Sequence, residues 1–150
     1  MHDAPVSGSC LCGGVRFEID GILTPIQYCH ATRCRKASGS AFAAEAAARA
    51  SDLRWTRGAD LVSVFEAPLL REPPAYRHAF CRVCGSPLPV ALEGTDLVTI
   101  PAGVLDRAPD SRAFCHIFVG QNPPWHLITD DLPRFDARAP RGHDVPRRSS

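Results

Sequence analysis

Two short cysteine pairs limit what this chain can fold into more than any other feature. Cys10 and Cys12 stand in SCLCGG, and Cys81 and Cys84 stand in CRVCGS. Such short spacing lets two thiolates point at one centre, and the glycine after each pair supplies a tight turn that a side chain would obstruct. Two of these knuckles brought together make a closed, tetrahedral four-thiolate site. Zinc suits it, since it takes sulfur ligands at about 2.3 Å and a shell of four leaves no open position. A rubredoxin-like iron centre is the alternative metal, and four buried or disulfide-bonded cysteines are the metal-free alternative. The chain has seven cysteines, an odd number, so complete pairing within the chain is excluded. A structural metal clasp is the expectation.

Between the knuckles the pattern is that of short strands. GGVRFEID alternates Val15, Phe17 and Ile19 with Arg16 and Glu18, the two-residue period of a half-buried strand. LVSVFEA, PLPVAL, DLVTIPAG and CHIFVG are further runs rich in Val, Ile and Phe. Fourteen prolines fall mostly between these runs, where a missing ladder donor does no harm. The fold class predicted is mainly β, built of short antiparallel sheets. One stretch disagrees: AFAAEAAARA, residues 41–50, holds seven alanines, and Glu45 and Arg49 have the spacing of a helical ion pair. Its local propensity predicts a helix. Residues 6–136 read as one domain, and 137–150, rich in Arg, Pro and Gly without apolar period, as a flexible basic tail.

A second cluster lies in YCHATRCRKASG, read as a loop. Cys29 and Cys34 flank His30 and Ala31, and Arg35 and Lys36 follow. Two thiolates do not fill a zinc shell, so a metal here needs further donors: His30, Cys115 with its neighbour His116, water, or a substrate thiol. Arg35 and Lys36 would lower a nearby thiol pKa and attract an anionic substrate. The alternative is a pair of small buried thiols beside a solvated basic face.

Charge narrows the partners. Seventeen basic and sixteen acidic residues leave a net charge of +1, too even a balance to create a field for nucleic acid or an anionic membrane. No basic stripe interleaved with stacking aromatics supports a nucleic-acid-binding zinc ribbon. MHDAPVSGSC lacks the basic region and apolar run of a secretory signal, and no run approaches the roughly 18 apolar residues of a membrane span. A cytoplasmic location is expected, with no nucleic acid and no membrane as partner.

The stretches GSCLCGGVRFEI, YCHATRCRKASGSAF, AFCRVCGSPL, AGVLD and HIFVGQNPPWHLITDDLPRFD together resemble the glutathione-dependent formaldehyde-activating enzyme family, which includes centromere protein V-like domains. The resemblance implies a mostly β fold with Cys10, Cys12, Cys81 and Cys84 on a structural zinc, and strand or loop rather than helix for residues 41–50. It further implies a catalytic zinc held by a C-x-C-x-x-C run, which aligns here with Cys29, Ala31 and Cys34. The middle ligand is alanine. The function it implies is that of a carbon–sulfur lyase acting on glutathione-type thiol adducts of small aldehydes. Cys29 and Cys34 would be at the metal or substrate sulfur, and Arg35 and Lys36 would bind substrate. A non-catalytic module that keeps only the structural zinc is the alternative.

Overall fold

The computed structural model describes residues 5–67, 76–107 and 110–140. Eleven strands and one short helix are described: β1 (Val6–Ser9), β2 (Arg16–Ile19), β3 (Ile26–Cys29), α1 (Thr32–Ser38), β4 (Ala43–Arg49), β5 (Leu53–Arg57), β6 (Val62–Glu66), β7 (Arg77–Cys81), β8 (Pro87–Leu88), β9 (Val90–Ala91), β10 (Leu97–Pro101) and β11 (Ala113–Ile117). They form three sheets, in the orders β1-β2-β5, β11-β3-β4-β10-β9 and β6-β7-β8. Every pairing is antiparallel except that of β11 with β3, where His116 faces Tyr28 and Ile117 faces Cys29. No described helix is long and apolar enough to cross a membrane.

The main core lies where the three sheets meet, around Val15, Phe17, Ile19, Leu88, Val98 and Ile100. Gly8 sits opposite Phe17 in the β1–β2 ladder, and a Cβ there would stand 2.2 Å from Phe17 Cζ. The glycine gives the ring its place.

The alanine-rich stretch is a strand, β4, at the centre of the five-stranded sheet. Ala46 and Ala48 are buried in the main core opposite Ile100 and Val98 of β10. Helix propensity favours alanine by at most about 0.7 kcal/mol per residue over ordinary residues. Hydrogen-bond ladders on both edges, together with burial against β10, outweigh it. Glu45 and Arg49 consequently make no helical pair; Glu45 faces Gln27 across the ladder to β3.

A helix appears instead in the stretch read as a loop. Thr32–Ser38 forms α1, which starts after Ala31 in an extended conformation (ψ 143°) and stops at Gly39 in the left-handed region (φ 68°). The Gln121 side chain accepts the Thr32 N–H at 2.8 Å, a cap drawn from far along the chain. Of the segment read as tail, residues 141–150 lie outside the described residues. Before them, Ala137 accepts the Phe118 N–H and Ala139 packs on the second core cluster.

Candidate metal clasp and thiol cavity

The four knuckle cysteines come from two sheets. Cys10 and Cys12 lie in the β1–β2 connection, whereas Cys81 ends β7 and Cys84 lies in the turn to β8. Local hydrogen bonds shape each knuckle: Gly13 N–H to Cys10 O at 2.9 Å, and Gly85 N–H to Cys81 O at 2.7 Å. Both glycines have positive φ, 74° and 78°. Leu11 N–H also donates to Ser86 Oγ at 2.8 Å, joining one knuckle to the other.

All four sulfurs lie within 4.8 Å of one another. Cys10 and Cys12 are 3.5 Å apart, and Cys12 and Cys81 are 3.9 Å apart. A tetrahedron with 2.3 Å metal–sulfur bonds has edges of about 3.8 Å. The spacing fits one metal ion. Within this coupled group of thiols, hydrogen bonding with Ser86 lowers the Cys84 pKa to about 5, while the neighbouring cysteines push that of Cys12 up to about 11.

Cys29 and Cys34 also come together, at the end of β3 and in the first turn of α1. Both are buried, in a second cluster with Ala31, Cys115 and Ile117. The interaction between the two thiols lowers the Cys29 pKa and raises that of Cys34, which burial raises further. They line a cavity of about 700 Å³. Strand alternation places Gln27, Cys29, Ala43 and Glu45 along the cavity wall, away from the face that carries Ala46 and Ala48 into the core.

Three further groups belong to this cavity. Arg33 lines it and lays its guanidinium over the Tyr76 ring, 5.1 Å from the centroid. Glu45 Oε1 is 3.8 Å from Cys34 Sγ. Glu45 is largely buried in the cavity wall, and burial raises its pKa against the opposing effects of Gln27, Cys34 and Arg33. Burial likewise raises the Tyr76 pKa, with the neighbouring thiols and Glu45 adding to it. Arg35 and Lys36 are not among the lining residues: Arg35 Nη2 donates to Thr32 Oγ1 at 3.3 Å, and Lys36 is exposed. On α1 it is Arg33, one residue before Cys34, that faces the thiols.

The other proposed donors are engaged elsewhere. His30 Nδ1 lies 2.9 Å from Asn122 Oδ1, and Nε2 lies 2.8 Å from His116 Nδ1. His116 Nε2 in turn meets both Asp130 oxygens, at 3.0 and 2.9 Å. With Asn122 Nδ2 donating to His126 O, its Oδ1 accepts from His30 Nδ1. This is a fully bonded Asn–His–His–Asp chain that fastens the Cys29 loop to the segment after β11. Cys115 is completely buried and outside the cavity lining, and burial raises its pKa. Among the described residues, no third cysteine, histidine or carboxylate lies within ligating distance of both Cys29 and Cys34.

Arg33 and Glu45 were missed by reading the sequence. Arg33 was passed over because a loop gives no rule for which of three neighbouring cations faces inward. Glu45 carried a usable signal: once its stretch is taken as a central strand, it is the one acidic side chain in an alanine run.

Taken together, these features define a β protein whose sheets bring four cysteines close enough to hold a metal ion, and which has a thiol-lined cavity. The chain belongs to the glutathione-dependent formaldehyde-activating enzyme family, matching it over residues 5–121. Membership supports a glutathione-related, formaldehyde-activating or lyase-like function. The fold is shared with a crystal structure of a Rhodobacter sphaeroides protein, at 23% identity and a TM-score of 0.53, covering 71% of this chain and 97% of that one. No match was found among curated proteins.

Proposed function

We propose that this chain makes and breaks the carbon–sulfur bond of thiol adducts of small aldehydes, glutathione adducts among them, in the cavity beside Cys29 and Cys34. In the forward direction the thiol sulfur bonds to the carbonyl carbon and the proton passes to the carbonyl oxygen; the lyase direction reverses both changes. The observation that carries the reading is the convergence of two thiols, a carboxylate and an arginine on one cavity of about 700 Å³, within the usual range for small-molecule sites. Cys29 and Cys34 hold the sulfur end of the adduct. Arg33 takes a substrate carboxylate, and Arg35 and Lys36 add positive potential from further along α1. Zinc is the proposed ion of the clasp, by its preference for four thiolates. A zinc beside Cys29 and Cys34 would supply Lewis acidity and a site for the substrate sulfur.

The test is the exchange rate between free formaldehyde and its glutathione hemithioacetal, followed by NMR at equilibrium. Acceleration proportional to protein and lost in Cys29→Ser is expected; no acceleration by the parent would sink the catalytic reading. Ala31 favours a second reading, a zinc-clasped interaction module without chemistry. Under it the clasp metal is present and exchange runs at the uncatalysed rate.

A further inference from the structure

Carbon–sulfur bond formation puts charge on an oxygen, and the two thiols of the cavity serve only the sulfur end. As the thiol adds to the aldehyde, the sulfur–carbon bond forms and the carbon–oxygen π pair moves onto the oxygen, which then takes up the proton that the thiol has released to water. A hydrogen-bond donor held at that oxygen lowers the barrier. We propose that the Tyr76 hydroxyl is this donor, which makes Tyr76 a catalytic residue for thiol adducts of small aldehydes. The inference rests on the function proposed above for this cavity.

Tyr76 is placed for this role. It lines the cavity together with Cys29 and Cys34, and it packs on the buried cluster that contains both thiols. Its carbonyl accepts the Ala67 N–H at 2.9 Å, between the end of β6 and the start of β7, so the backbone that carries the ring is tied across the hairpin. The Arg33 guanidinium lies over the ring, 5.1 Å from its centroid. Backbone and ring are both held. Among the described residues, no hydrogen bond engages the Tyr76 hydroxyl, so its proton is available to a ligand. The Ser38 hydroxyl also belongs to the lining, but it donates to Arg35 O and Phe42 O, at 3.4 Å each.

The surroundings call for such a donor. Two thiols and the Glu45 carboxylate share this wall, so a developing alkoxide meets electron-rich neighbours and is costly there without a hydrogen bond. Burial first, then Cys34, Glu45 and Cys29, raise the Tyr76 pKa, and the phenol therefore keeps its proton at neutral pH. It donates without adding charge to the site. Arg33 opposes these neighbours from its place over the ring and favours donation by the O–H. Tyr76 holds the same proton before and after the step, so one group serves both the making and the breaking of the bond.

Tyr76→Phe tests the role, because it keeps the ring, its packing and the Arg33 contact and removes the hydroxyl alone. Exchange of formaldehyde with glutathione is followed by NMR over a range of concentrations for parent and variant, to separate kcat from KM, and Tm is measured beside it. Expected is a kcat lower by about 10²-fold, with KM and Tm unchanged, since the hydrogen bond strengthens only as charge develops on the oxygen. The same fold loss is expected with 2-mercaptoethanol as the thiol, because both adducts present the same aldehyde oxygen. A Tyr76→Phe kcat within about twofold of the parent overturns the role of Tyr76 and leaves the proposed function standing. A raised KM at unchanged kcat, a loss confined to glutathione, or a loss that accompanies a lower Tm also overturns it, since the residue would then act in binding or through the fold. No acceleration by the parent overturns the function and this role together.

Discussion

Replacing Cys81 by Ser tests the clasp where it bears most weight. Cys81 is completely buried, its backbone pairs with Val62 of β6, and its sulfur faces a cysteine 69 residues earlier in the chain. With one thiolate gone, three remain to share an ion poorly, and the cross-link between the β1–β2 and β7–β8 connections is lost. Treated as a chain-entropy cross-link over a loop of that length, the tie contributes roughly 4.4 kcal/mol. A domain of this kind has about 5 to 15 kcal/mol in total. At about 2 to 4 °C per kcal/mol, Tm should fall by roughly 9 to 18 °C. The assay is thermal unfolding by circular dichroism beside metal content per chain, with Cys115→Ala as a buried-cysteine control outside the clasp. A Cys81→Ser protein that has lost the clasp ion yet unfolds cooperatively within about 2 °C of the parent would refute the reasoning.

Gly8→Ala places a methyl against the Phe17 ring and should cost about 1 to 3 kcal/mol by overpacking, seen as a lower Tm with unchanged metal content; an unchanged Tm would contradict the packing. His78 stacks on Phe80, and burial lowers its pKa. Its neutral form is therefore favoured in the fold: that stability is present above the unfolded value of about 6.5 and is lost as pH falls toward the folded one. Denaturant midpoints between pH 7.5 and 5 should fall less steeply in His78→Gln, and identical slopes would refute the assignment. Arg33→Ala should weaken binding of a glutathione adduct by about tenfold, roughly 1.4 kcal/mol, and that of an uncharged thiol adduct much less. Titration calorimetry showing equal losses for both adducts would remove Arg33 from substrate recognition.

The clasp was legible because its information is local. A C-x-C-G or C-x-x-C-G turn places two sulfurs together whatever the rest of the chain does, and the alternation of Val15, Phe17 and Ile19 likewise states which side is buried. The strand β4 was not legible from its own residues. Alanine prefers a helix by a few tenths of a kcal/mol, and only the flanking strands β3 and β10, contributed from elsewhere, reverse that preference.

The cavity divides along the same line. That Cys29 and Cys34 belong to one cluster was written in the spacing of one short motif, whereas the sulfur missing at Ala31 is visible only through the resemblance to the family. Which cation faces the thiols, Arg33 rather than Arg35 or Lys36, depends on α1, whose first N–H is capped by the distant Gln121. That Glu45 reaches Cys34, while His30 is held by His116 and Asn122, depends on strand register and on the segment after β11. The sequence by itself determined the cysteine knuckles and the buried side of the strands, because turns and alternation act over a few residues. Tertiary structure alone decided the neighbours across the cavity, because a contact between distant segments is set by how whole sheets pack.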